Sequence, residues 1–166
     1  MVSSPVGVPG FVLLLEDSED DAFFLKRAWK SRGASGEIIR VENGLQAMAV
    51  LLKELAANKR PRLIITDLKM PQCDGFEFLR WLRSEPKLRE IKCMVLSSSS
   101  ELRDKHEATA SGADGFFTKP GDSKAYAAVL DQIETHLAQG SETSPTEAAS
   151  YCSNELIGTQ SVSKQR

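Results

Sequence analysis

The chain of 166 residues carries 21 basic and 23 acidic side chains, a formal charge of −2 and a sequence pI near 5.8. That length suits one domain with a proper hydrophobic core, and the lack of a Lys/Arg excess or basic stripe excludes a nucleic-acid-binding surface. No apolar run approaches the length that crosses a bilayer. The opening MVSSPVGVPGFVLLLED lacks a basic leading region, is broken by Pro5 and Pro9 and ends in acids, so the protein is expected to be cytoplasmic, with no signal peptide and no membrane partner.

Short apolar runs alternate with longer amphipathic ones, the pattern of parallel strands joined by crossover helices. FVLLLE, Phe11 to Glu16, is the first strand. Ser18, with Asp21 three residues on in the place of the usual Glu, resembles a capping box, and the acids Glu19 to Asp21 suit the positive end of a helix dipole. Helix one then runs to about Arg32, ahead of Gly33. Its core face holds Ala22, Leu25, Ala28 and Trp29, which turns Phe23 toward solvent. EIIRVE, Glu37 to Glu42, is the second strand, and Leu45, Ala49, Leu52 and Leu55 are expected to form the apolar face of helix two.

RLIITD, Arg62 to Asp67, leads to a third helix carrying Phe76, Leu79 and Leu82 and stopped by Pro86. KCMVLS, Lys92 to Ser97, precedes a fourth helix around Glu101 to Ala110. Leu102 there has no strong apolar partner at helical spacing, so this helix is expected to be held least firmly. GFFTK, Gly115 to Lys119, is the fifth strand, and Tyr126, Val129, Ile133 and Leu137 mark the fifth helix. The first, third and fourth strands are the most uniformly apolar, as central parallel strands should be. From Gly140 the chain is rich in Ser, Thr, Glu and Gln without a period. The expected organisation is a flexible start over 1–10, one domain over 11–139 and a disordered tail over 140–166.

In an open parallel α/β sheet, ligands bind outside the carboxyl ends of the strands, where strand order reverses. Strand one ends in Glu16 and Asp17, strand three in Asp67, strand four in Ser97 and strand five in Lys119 followed by Pro120. Each alone is explained by ordinary strand-end polarity. Together, three clustered carboxylates would force a proton onto one of their number unless a cation lies among them. Magnesium suits such a site, because it takes one or two protein carboxylates, keeps several waters and accepts phosphate oxygens. The set therefore points to phosphoryl transfer.

LLLEDSEDD, IITDLKMPQCDGFEFL, MVLSSSS and GADGFFTKP, in this order and at these spacings, resemble the receiver domain of two-component response regulators over roughly residues 11 to 139. DDAFFLKRAWKSRG, with DLKMP, is similar to the stand-alone receivers associated with bacterial phytochromes. The resemblance implies a doubly wound, five-stranded parallel sheet of flavodoxin-like order 2-1-3-4-5 with helices on both faces. It implies a signalling phosphoacceptor rather than an enzyme. Asp67 would be the carboxylate nucleophile that takes a phosphoryl group from a kinase phosphohistidine. Asp17, Asp67 and the backbone carbonyl of Lys69 would hold Mg2+, with Glu16 acting through a water. Lys119 and Ser97 would meet the phosphoryl oxygens.

By the same resemblance the Lys119–Pro120 bond would be cis, Ser97 and Phe116 would form the switch pair, and Phe23 would help dock the kinase. For Phe116 an ordinary core role is an equal alternative, and for Phe23 the alternative is scattered apolar surface. The implied partners are a sensor histidine kinase or phosphotransfer protein, and a second copy through the helix 4–strand 5–helix 5 face. Cys73 stands where the family's P-x-M-D-G turn usually has Met, and Lys69 is a long cation beside the incoming group.

Two other readings compete. A haloacid-dehalogenase-type phosphatase also uses a strand-end aspartate with magnesium but needs D-x-D, and here the triplet is Asp67, Leu68, Lys69. A receiver-fold binding module that works without phosphorylation usually loses an acid or the lysine, and all are present. Cys73, Cys93 and Cys152 have no metal-ligand spacing and are expected to be reduced thiols. His106 and His136 are expected to face solvent, and Ser98, Ser99 and Ser100 to serve as loop and cap. No Walker-type glycine loop is present.

Overall fold

A computed structural model describes residues 10–34 and 36–140 of the chain. The flexible start, the tail and Cys152 therefore fall outside the described residues, apart from Gly10 and Gly140. The apolar runs form strands β1 (Val12–Leu15), β2 (Ile38–Val41), β3 (Leu63–Thr66), β4 (Cys93–Ser97) and β5 (Gly115–Thr118). They pair in parallel in the order β2-β1-β3-β4-β5. Every residue of β1, β3 and β4 is buried, whereas β2 and β5 are partly open edges, as their composition predicts.

Alternate residues of a strand face opposite sides of a sheet, so each central strand feeds two cores. Leu13, Leu15, Ile64 and Val95 pack beneath α2 (Gly44–Ala56), α3 (Gly75–Ser84) and α4 (Leu102–Ala110). Val12, Leu14, Leu63, Ile65, Met94 and Leu96 pack beneath α1 (Glu19–Ser31) and α5 (Tyr126–Gln139). Helix one buries the expected Ala22, Leu25, Ala28 and Trp29, and helix five buries Tyr126, Val129, Leu130 and Ile133.

Helix two corrects the sequence reading. Of the four expected residues only Leu55 packs, partly buried, against the core; Gly44, Ala47 and Leu51 are the buried residues, while Leu45 and Leu52 stand 54 % and 51 % exposed and Ala49 faces solvent. GLQAMAVLLKELA is apolar nearly all round, so a 3.6-residue period fits two stripes equally well. Gly44 has no room for a side chain, because a Cβ there would run into Cys73 Sγ in the loop after β3, and the small Ala47 is fully buried beside Leu51. Helix four matches its weak pattern: Ala108 is its one buried residue, Leu102 is 71 % exposed, and Glu101 at the N-cap makes no side-chain cap bond.

The helix with a complete capping box is α3, which the sequence reading did not single out. Asp74 Oδ1 accepts the Glu77 N–H at 2.9 Å and Glu77 Oε2 accepts the Asp74 N–H at 3.1 Å. This anchors the chain just after the loop that follows β3. Among the described residues, no helix is long and apolar enough to cross a membrane.

Candidate phosphoacceptor site

The sheet register brings the polar strand ends into one row. The Asp67 N–H donates to the Leu15 carbonyl at 3.0 Å, the Glu16 N–H to Val41 at 2.9 Å, and the Lys119 N–H to Ser97 at 2.8 Å. Glu16, Asp67, Ser97 and Lys119 thus occupy the carboxyl edge of neighbouring strands. Asp17, one residue further, is exposed. Glu16, Asp17 and Asp67 each offer a carboxylate oxygen within 4.8 Å of the others. This all-oxygen, anionic donor set fits a hard divalent cation.

The Lys119 ammonium lies against this cluster. Nζ is 2.6 Å from Glu16 Oε2, 2.7 Å from Asp67 Oδ2 and 2.9 Å from Asp21 Oδ2. Burial alone would lower the lysine's pKa, but the hydrogen bonds to Asp67, Glu16 and Asp21 prevail and hold it above its ordinary value, so the side chain is a cation. Burial likewise raises the Glu16 carboxyl above its ordinary range against the pull of Lys119. The remaining oxygens are also engaged. Asp67 Oδ1 accepts the Leu68 N–H at 2.6 Å, and Glu16 Oε1 accepts the Ser18 N–H at 3.0 Å.

The expected cis bond is not found: the Lys119–Pro120 peptide is trans. This is the isomer that an X-Pro bond favours. The ammonium reaches Glu16 and Asp67 from the end of β5 with the trans bond in place. The expected capping box at α1 is half formed. Ser18 Oγ accepts the Asp21 N–H at 3.3 Å, but the Ser18 N–H turns to Glu16, and Asp21 directs its carboxylate to Lys119 and to the Tyr126 hydroxyl, 2.8 Å from Oδ1. Asp is one methylene shorter than Glu, and an ammonium and a buried phenol compete for it.

Ser97 is buried, and its Oγ accepts the Ser99 N–H at 3.3 Å. Phe116 is half-buried against the α2–α3–α4 core and pairs in register with Val95 of β4, the strand next to β3. Phe23 is 59 % exposed on α1, with its ring edge-on to Phe24. Lys69 is exposed. Cys73 is buried in the loop between β3 and α3, where its carbonyl accepts the Gly44 N–H at 3.0 Å and burial raises its thiol pKa. Fully buried Cys93 is pushed up to about 12, an unreactive thiol. His106 is exposed. His136 is also exposed, but its Nε2 lies 2.6 Å from the Asp114 carbonyl oxygen and its ring stands edge-on to Phe117.

Three contributors escaped the sequence reading. Arg40 donates from Nε to the Glu16 carbonyl at 2.9 Å and from Nη2 to the Asp17 carbonyl at 3.0 Å, fixing the acidic loop. A charge in the middle of a strand was its signal. Asp21 hid among three consecutive acids. Tyr126 passed as core, although a buried phenol needs a hydrogen-bond partner and so points to one. Gly75 also matters for space: a Cβ there would run into the Asp67 carbonyl oxygen and Leu68 Cα.

A parallel sheet of this order with an acid cluster, a strand-end aspartate and a lysine beside it defines a receiver. Residues 12–131 match the response regulator receiver domain family, and the chain belongs to that family, the response regulators of two-component systems. Among curated relatives, it is 31 % identical to the response regulator Rcp1 of Synechocystis sp. over 129 residues, covering 76 % of this chain and 88 % of Rcp1. It is 28 % identical to the polar-differentiation response regulator DivK of Brucella anthropi over 113 residues, 68 % of this chain and 86 % of DivK. The crystal structure of the phosphorylated cyanobacterial phytochrome response regulator RcpA superposes with a TM-score of 0.71 at 29 % identity, over 82 % of this chain and 99 % of RcpA. The Mn2+-bound form of Rcp1 gives a TM-score of 0.67 at 31 % identity, over 76 % and 93 %. The chain is thus similar to phytochrome-associated single-domain response regulators.

Proposed function

We propose that this protein is the phosphoacceptor of a histidine-to-aspartate phosphorelay, with Asp67 as the residue modified and residues 11–139 as the receiver unit. The observation that carries this is the Asp67 carboxylate at the end of the central strand β3, 2.7 Å from the Lys119 ammonium and beside Glu16 and Asp17. An Asp67 oxygen attacks phosphorus, the new P–O bond forms as the P–N bond to the donor histidine breaks, and the departing imidazole takes up a proton. Such transfer depends on in-line positioning and charge stabilisation. Lys119 offsets charge on the phosphoryl oxygens, and the buried Ser97 hydroxyl donates to one of them.

In this reading the Asp17 and Asp67 carboxylates and the Lys69 backbone carbonyl would hold Mg2+, with Glu16 acting through a water, and the bound cation would neutralise developing negative charge. The output follows from Ser97 and Phe116: drawing the Ser97 hydroxyl toward phosphate vacates space into which the half-buried Phe116 ring turns, altering the loosely held α4 face. Having no hydroxyl, Phe116 would be held in an outward state by packing rather than by a hydrogen bond. Phe23, exposed on α1, would contact the kinase or phosphotransfer protein in the cytoplasm. The α4–β5–α5 face would serve a homodimer.

Incubation with Mg2+ and acetyl phosphate should give phosphate uptake that is labile to hydroxylamine and absent in Asp67→Asn. Uptake that survives Asp67→Asn would contradict the assignment. No uptake by the wild type would favour a binding module that works without phosphorylation.

A further inference from the structure

Lys119 has three anionic partners, and they differ in what else claims them. Glu16 and Asp67 belong to the carboxylate cluster that a divalent cation would occupy, and Asp67 also receives the phosphoryl group. Asp21 belongs to neither set. It sits in the first turn of α1, where the helix dipole favours an anion, and is braced from the opposite side by Tyr126 at the first position of α5. Tyr126 is buried, so its O–H must find a partner, and Asp21 Oδ1 supplies it at 2.8 Å while Oδ2 takes the ammonium at 2.9 Å.

A helix-start acid kept only for its charge would have no need to aim its carboxylate at two specific donors from β5's end and α5. Burial works against ionisation of Asp21, yet the hydrogen bonds from Lys119 and Tyr126 outweigh it and lower its pKa, so it is an anion at neutral pH. Lysine is a point charge on a flexible four-carbon stem, and ordering it costs rotamer entropy. Once Glu16 and Asp67 are engaged elsewhere, Asp21 is the partner that keeps the ammonium from swinging out.

We infer that Asp21, braced by the Tyr126 hydroxyl, is a positioning residue that holds the Lys119 ammonium over Asp67 while the phosphoryl group transfers. The inference rests on the phosphoacceptor reading above. It also joins the start of α5 to the acceptor through the continuous chain Tyr126–Asp21–Lys119–Asp67.

The test compares Asp21→Asn, Asp21→Glu and Tyr126→Phe with the wild type in three measurements. These are single-turnover phosphorylation at saturating Mg2+ and acetyl phosphate, Mg2+ affinity by calorimetry, and the 15N side-chain ammonium resonance of Lys119 in Mg2+-saturated protein, where Glu16 and Asp67 are engaged by the cation, assigned by its loss in Lys119→Arg. The maximal rate should fall about tenfold in Asp21→Asn, the scale of one hydrogen bond to a charged group, and by less, about threefold, in Tyr126→Phe, where Asp21 keeps its charge and its own bond to Lys119. Asp21→Glu, still able to reach an ammonium, should recover part of the rate. Mg2+ affinity should change less than the rate, because Asp21 touches Lys119 and not the cation's carboxylates, and saturating Mg2+ in the rate measurement removes the coupling that their shared lysine transmits. The ammonium signal should be protected from exchange in the wild type and lost in Asp21→Asn.

Unchanged rates in both Asp21→Asn and Tyr126→Phe, or a rate loss with the ammonium signal intact, would overturn the inference. Tyr126→Phe removes a single oxygen from a ring that stays buried, so it decides the matter if Asp21→Asn does not fold. A wild type that takes up no phosphate overturns the phosphoacceptor reading and this one with it. A phosphorylated wild type matched by its variants overturns this one alone.

Discussion

Glu16 shows how a single residue sets stability against function. Burial is the largest influence on its carboxyl and raises the pKa above the ordinary 4.5, despite Lys119 at 2.6 Å. A carboxyl whose pKa rises on folding binds its proton more tightly in the folded state, so stability declines as pH climbs from the ordinary value through the raised one. Glu16→Gln removes that decline. In EDTA at pH 7 the variant should melt above the wild type, with the gap narrowing as pH drops toward 4, and its Mg2+ affinity should be weaker. A variant that melts at or below the wild type at pH 7 would show that pairing with Lys119 outweighs burial. This trade of stability for a charged site is common at functional centres.

At the scale of the element, α2 and α4 show where periodicity misleads and where it succeeds. On α2, Leu51 is fully buried and its neighbour Leu52 is half exposed. Leu51→Ala should cost about 2–5 kcal/mol in denaturant unfolding, and Leu52→Ala no more than about 0.5 kcal/mol. Equal losses at the two positions would sink the assigned face. The error in reading this helix has a definite cause: leucines lie on both sides of it, and hydrophobic spacing carries no information about which stripe is buried. On α4 the spacing was decisive because it was poor. A helix with one buried residue and no side-chain cap has few interactions to oppose a shift when the site changes charge.

Over the whole molecule, two cores on either face of one sheet hold the strand ends in register, and α1 is tied to α5 independently of the site. Arg32, at the end of α1, donates to the Ala127 carbonyl at 2.9 Å and pairs with Asp131 and with Glu134, the latter at 2.6 Å. A cation bound by the folded acid cluster and not by the unfolded chain stabilises by mass action. Raising Mg2+ to one hundred times its dissociation constant should therefore add about 2.7 kcal/mol. The melting temperature should rise by on the order of 10 °C. Differential scanning calorimetry with and without Mg2+ measures this, and no shift in the wild type would remove the cluster as a cation site.

What the chain by itself determined were the elements and the chemistry at their ends. Strand composition alone separated β1, β3 and β4 as central from β2 and β5 as edges, because a strand buried on both faces can carry almost nothing but apolar residues. The same reading put Glu16, Asp17, Asp67, Ser97 and Lys119 at strand carboxyl ends, where the register then aligned them. Tertiary structure alone decided which stripe of α2 is buried, that the peptide after Lys119 is trans, and that Asp21, Tyr126 and Arg40 join the site. Asp21 and Tyr126 lie 105 positions apart, and no local pattern links them. Their meeting depends on α1 and α5 packing on the same face of the sheet, which only the folded chain specifies.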